Sequence, residues 1–318
     1  MRFILSLFFS LLFVSVCVAQ DDDIVQLKNV PDTILNTKRI LKINGELDGV
    51  KTMQKLFPGR LYHLADKNTF VSWECKKCQP SAFTDVNEVE GDQMFPYERG
   101  VATRLLADIA YADSKGNQFK ILVFNHSVYD EDGLQTSRFT GGLWGIAKFA
   151  KNDNVWEMKS FQPAVTAFGA FAQSNTPKLV QIGEDQYALT VTHANGGAGG
   201  PYNGFLYVVA GFDGKYQPLL TIDNYALTNS ISSQWSSSYK IVTDNNKKFF
   251  RDFIVTTTGS YKKAKGTEED YEVDLPKEIA TMAKTKKQFD FVIERRFSFK
   301  GKNYNIVGQP VVKFSNVK

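Results

Sequence analysis

The chain has 318 residues, of which 38 are Lys or Arg and 34 are Asp or Glu, for a formal net charge of +4. The excess is mild and spread along the sequence with no arginine-rich block, which excludes the electrostatic footprint of a nucleic-acid binder. The length provides for one large domain or two smaller ones, able to bury a core without staples.

The first residues set the compartment. Met1-Arg2 is followed by a nearly unbroken apolar run from Phe3 to Val18, then Ala19, then the abruptly acidic Gln20-Asp21-Asp22-Asp23. This reads as a cleavable signal peptide over 1–19, cut after Ala19 or Gln20. Val16 stands where a lipobox would place Gly, Ala or Ser, so lipoprotein anchoring through Cys17 is the weaker reading. No later run approaches the ~20 apolar residues that span a bilayer. The expected product is exported, secreted or periplasmic, with no transmembrane span after cleavage.

Residues 20–60 read as a lead-in followed by a short helix: Leu47, Val50, Met53, Leu56 and Phe57 recur at helical spacing before Pro58-Gly59. From 61 to 318 the chain is mainly β. Aromatic or apolar residues alternate with small or polar ones on either side of tight Asn/Asp/Gly/Lys turns. Such pairs flank 65–69, 113–117, 151–154, Asp213-Gly214, 244–247 and 300–302. The turn residues tolerate positive φ or bond their own backbone. The fold class is all-β, mainly antiparallel hairpins with one or two short helices. The uneven turn spacing suggests an irregular propeller-like array, with a two-sheet β-sandwich as the alternative.

Three stretches break the pattern. Residues 80–99 are acidic and read as loop. Residues 223–238 are serine-rich and read as a surface loop or subdomain boundary. Residues 274–288, with Pro276 in the first turn, read as a short surface helix.

Chemistry is sparsely signalled. Once the leader is removed, Cys75 and Cys78 are the remaining cysteines. In an oxidising compartment they read as a local structural disulfide. A thioredoxin-type redox site is opposed by Gln79-Pro80, which obstructs the following helix. A zinc site lacks its other two ligands. The glycines of 196–200 lack a P-loop ending, and Tyr129 to Gly133 lacks the later carboxylates of a calcium loop. His63, His126 and His193 sit on separate hairpins, and no G-x-S-x-G elbow supports a serine triad. No cofactor or metal is expected.

The leading expectation is therefore a non-enzymatic exported protein that binds a glycan or protein partner through loops. Its candidate ligand-binding residues are His193, Asn195, Tyr202, Asn203 and Trp235. The alternative is a secreted enzyme, either a hydrolase or a thiol oxidoreductase using Cys75 and Cys78.

Overall fold

The computed structural model describes residues 26–64, 68–88, 93–129, 139–196, 202–227, 233–243, 247–263 and 275–318. The signal peptide with Cys17, the 130–138 segment and most of the glycine loop lie outside the described residues. The all-β expectation holds: strands dominate, and the α-helices among the described residues are α1 (Gly49–Leu56) and α2 (Ala280–Thr285).

The strands gather into two antiparallel-rich sheets. The first has ten strands: β1 (Lys42–Asn44), β2 (Arg60–His63), β3 (Thr69–Trp73), β4 (Ser81–Asp85), β5 (Gln93–Phe95), β6 (Val101–Ala112), β7 (Gln118–Val128), β8 (Gly142–Asn152), β9 (Val155–Gln162) and β10 (Thr166–Phe168). Its order is β2-β3-β6-β7-β8-β10-β4-β5, with β9 joining β1 to β8. Residues 80–99, read as loop from their acidity, contribute β4 and β5. Asp48 caps α1 by accepting from the Lys51 N–H at 2.8 Å. The helix buries Met53 and Leu56, with the following Phe57, against Trp73, Phe124 and Phe149.

The second sheet is an uninterrupted meander of eight strands: β11 (Lys178–Gly183), β12 (Gln186–Gly196), β13 (Tyr202–Phe212), β14 (Lys215–Leu227), β15 (Ser233–Ile241), β16 (Phe253–Lys262), β17 (Gln288–Lys300) and β18 (Asn303–Ser315). Asp213 and Gly214, both at positive φ, make the β13–β14 turn. Of the 223–238 stretch, the described residues 223–227 and 233–238 lie in β14 and β15, interior strands of this sheet. Its serines alternate with Trp235 and Tyr239 on β15, where buried and exposed positions follow period two. The chain passes from one sheet to the other between β10 and β11.

Ile121, Val123 and Ile146 from the first sheet pack on Leu189, Val191, Tyr207 and Val209 from the second. The second sheet then curls, bringing β18 back alongside β14. Leu220, Ile222, Phe253, Val255 and Tyr304 fill the inside of the curl. Nearer one end, Trp235, Ile279, Ala283, Phe289 and Phe291 seat α2 across it.

Candidate active site

Between the apolar filling of the curl and the α2 cap lies a cavity of about 480 Å³. Its apolar wall includes Phe205, Ile222, Tyr225, Trp235 and Phe297, and its polar groups include Asn203, Asp223, Glu278 and Arg295. Backbone geometry shapes the wall. A Cβ on Gly204 would fall 2.2 Å from Cε1 of Tyr225, so only glycine lets that ring lie across β13.

Arg295 occupies an inward position of β17, in the series Phe289, Phe291, Ile293, Arg295, Phe297. Its Nε and Nη2 donate to the two oxygens of Glu278 at 2.7 and 2.6 Å. The side chains are 11% and 8% exposed, so this is a buried, bidentate ion pair. Burial works to raise the Glu278 pKa, but hydrogen bonds and charge from Arg295 outweigh it and hold the carboxyl below its ordinary value. Arg295 Nη1 also donates to Thr257 Oγ1 at 3.1 Å. Ser237 gives its proton to the Asp223 carbonyl at 2.5 Å, so Thr257 must be the donor in the 2.9 Å Thr257–Ser237 bond. One directional chain therefore runs from the guanidinium to the backbone of Asp223.

Asp223 pairs with Phe205 across β13–β14 and borders a second polar cluster between the sheets. The Tyr207 hydroxyl there is pushed up to about 12, first by burial and then by the charges of Glu88, Asp223 and Asp85. Asp85 is itself engaged: it accepts from the Asn87 N–H at 2.9 Å, Asn87 Nδ2 at 2.8 Å and the Gly141 N–H at 2.8 Å.

The structure separates the residues singled out from the sequence. Asn203 and Trp235 line the cavity. Trp235 is only 7% exposed and sits in β15, not in a loop. His193 is buried on β12, where its Nδ1 accepts from the Gly169 N–H at 3.0 Å. Burial lowers its pKa, against the opposing influence of Asp85. It presents no loop surface. Asn195 and Tyr202 are in strands by their backbones, paired with Asn203 and Gly196, and their side chains lie outside the described residues.

The histidines do not meet. His63 bonds Thr69, while His126 is enclosed beside Phe57 and Phe95. Trp73 donates to Thr103 Oγ1, which is also hydrogen-bonded to His126 Nδ1, each at 2.8 Å. Burial pushes His126 down to about 3, so the ring is neutral. Among the described residues no grouping of His, Cys, Asp and Glu could hold a metal.

Cys75 and Cys78 are disulfide-bonded across a turn, with the Cys78 N–H bonded to the Cys75 carbonyl. No helix starts there, so the geometry of a thioredoxin-type site is missing.

Paired acidic residues around a cavity with aromatic walls are the means by which glycoside hydrolases work. The chain belongs to the levansucrase/invertase family, glycoside hydrolase family 68, matching it over residues 9–289. Comparison with curated proteins and with solved structures returned no match. Membership places the chain among enzymes and corrects the expectation of a non-enzymatic binding protein. The hydrolase alternative is the one in keeping with it. The family fold is a five-bladed β-propeller; here the described hairpins run on as two large sheets without breaks that mark off blades. Such enzymes are typically secreted, in line with the expected leader and the disulfide. No helix among the described residues is long and apolar enough to cross a membrane.

Glu278, Arg295 and Asp223 were not singled out from the sequence. The available signal was Arg295 itself, a charge placed where the alternation of β17 calls for an apolar side chain.

Proposed function

We propose that the protein acts on sucrose outside the cytoplasm, releasing its fructosyl unit to water or transferring it to a sugar, with the reaction centred on the curl cavity. The observation that carries this reading is that Asp223 and Glu278 border one cavity in a chain of this family.

Glu278 has the character of the nucleophile. Arg295 keeps it ionised, and each carboxylate oxygen retains a lone pair beyond the one engaged by the guanidinium. In the first step a Glu278 oxygen bonds the anomeric carbon of the fructosyl unit while the glycosidic bond breaks. Asp223, as general acid, gives its proton to the departing oxygen. In the second step Asp223 takes a proton from water or an acceptor hydroxyl, whose oxygen displaces Glu278. Trp235, Tyr225 and Phe297 offer surface for the C–H faces of the sugar, and Asn203 offers hydrogen bonds.

The test is glucose release from sucrose by the purified mature chain. Glu278→Gln and Asp223→Asn are each expected to lower kcat by about 10³-fold or more, since removing either member disables the pair. Full activity in Glu278→Gln would remove the cavity from consideration. The Tyr207 cluster gives a competing placement, because Asp85 and Glu88 share it with Asp223. Asp85→Asn separates the two: loss of activity there, with Glu278→Gln active, would move the centre to that cluster.

A further inference from the structure

Asp223 stands where two irregularities of the second sheet coincide. β14 and β15 pair over Tyr225↔Ser236, Ala226↔Trp235 and Leu227↔Gln234, so their ladder stops short of Asp223. On the other side, the register with β13 shifts between Gly204↔Tyr225 and Phe205↔Asp223, which leaves Asn224 as an extra residue. The Asp223 carbonyl turns toward β15, where the ladder offers it no donor, and accepts from the Ser237 hydroxyl instead. The Asp223 carboxylate hydrogen-bonds no other described residue. Its backbone is what sets its place.

Strand register also builds the path from Ser237 to Arg295. Ser237 and Thr257 are direct partners across β15–β16, and Arg295 lies two residues along β17 from Ile293, the partner of Thr257 on its other side. Thr257 is 1% exposed. Its hydroxyl accepts from Arg295 at 3.1 Å and donates to Ser237 at 2.9 Å. Hydrogen bonds that begin at a cation polarise the ones that follow, so the guanidinium strengthens the 2.5 Å bond from Ser237 to Asp223. The same guanidinium grips Glu278 through its other two nitrogens. One buried side chain thus holds one carboxylate residue directly and the other through two hydroxyls.

We propose that Ser237 and Thr257 are positioning residues, whose relay fixes the spacing between Asp223 and Glu278 by tying the backbone of one to the ion pair of the other. The inference rests on the reaction proposed above. Its weight falls on the proton delivered to the departing oxygen. When the relay is cut, Glu278 keeps its bidentate partner, whereas Asp223 loses the bond that anchors its backbone. A displacement of ~1 Å at a reacting group can slow a reaction on the order of 100-fold.

Two fructosyl donors separate this role from a general loss of the site. With sucrose, the departing oxygen needs the proton of Asp223. With β-fructofuranosyl fluoride, a Glu278 oxygen bonds the anomeric carbon as the C–F bond breaks, and fluoride leaves with the electron pair and no proton. Ser237→Ala and Thr257→Val cut the relay at its two hydroxyls, and circular dichroism and Tm check that each variant of the full mature chain folds. Each is expected to lower kcat on sucrose by about tenfold or more with KM within about twofold, and kcat on the fluoride by less than about threefold. Thr257→Ser keeps the hydroxyl and is expected to stay within about threefold of wild type on sucrose. Equal losses on the two donors, no loss on either, or Thr257→Ser as slow as Thr257→Val in folded protein overturns the relay. Asp223→Asn keeps two failures apart. Donor selectivity in Asp223→Asn but in neither relay variant rejects the relay and leaves the reaction standing. Asp223→Asn as fast on sucrose as wild type sinks the proposed reaction itself, and the relay with it.

Discussion

Replacing Arg295 with Met tests the centre of the site most directly. The substitution keeps most of the aliphatic stem and removes the partner of a carboxylate that is 8% exposed. An ionised group left buried without its partner costs about 3–5 kcal/mol. At ~2–4 °C per kcal/mol for a domain of roughly this size, Tm should fall by about 10 °C. The pH dependence identifies the cause. Wild-type Glu278 has a pKa below its unfolded value. Its contribution is therefore present above about pH 4.3 and lost as pH falls through the folded pKa. In Arg295→Met burial is opposed only by a backbone hydrogen bond and the charge of Lys277, the pKa is expected to rise above the unfolded value, and acidification toward about pH 4.3 should then stabilise the variant by protonating the stranded carboxyl. Urea denaturation at about pH 7.5 and 4.5 should show a gap between the two proteins that narrows in acid. Adding Glu278→Gln should recover part of the loss at neutral pH. A variant as stable as wild type at about pH 7.5, or a gap independent of pH, would refute the buried-pair argument.

Other expectations follow from the same geometry. The His126 ring, pushed down to about 3 by burial, should show no NMR titration between about pH 8 and 5. Because the unfolded ring protonates near 6.5, stability should decline as pH falls below that value; a midpoint above about pH 5 would contradict the enclosure. Gly204→Ala pushes the Tyr225 ring from its place and should raise KM for sucrose several-fold with a smaller change in kcat; unaltered kinetics would remove Tyr225 from the binding wall. Cys75→Ser with Cys78→Ser opens a loop of sequence separation 3 and should cost no more than ~2 kcal/mol in chemical denaturation. Activity should survive, and its complete loss in folded protein would assign the cysteines a chemical role.

How much of this was legible depended on the kind of signal. The hairpins could be read because inward aromatics and turn residues report local backbone state, as at Asp213-Gly214. β15 was passed over although its period-two pattern is present. Serines stand on both faces, outward at Ser236 and Ser238 and inward at Ser233 and Ser237, so Trp235, Tyr239 and Ile241 are the only apolar markers of the inward face. β4 and β5 were hidden by acidity, a property of what faces water and not of the backbone. The helices at 47–57 and within 274–288 were visible from apolar spacing, but α2 starts at Ala280, so Pro276 lies in the turn before it and not in its first turn. The site was the least legible. Glu278 precedes a short helix, Asp223 precedes a strand bulge, and Arg295 lies on another strand. No spacing in sequence records that a curl brings them together.

The curl also governs when the cavity can exist. Its wall begins with Asn203 on β13 and is completed by Ile306 on β18, so no local segment contains it. The loop-closure entropy of that long separation must be met before any contact in the cavity gives a return. The hairpins of the first sheet can form well before the pocket does. Partial unfolding should follow the reverse sequence, with β18 peeling from β14 and sugar binding vanishing while most of the circular dichroism of the sheets persists. A protein that still gives a strong β spectrum can thus already have lost its chemistry.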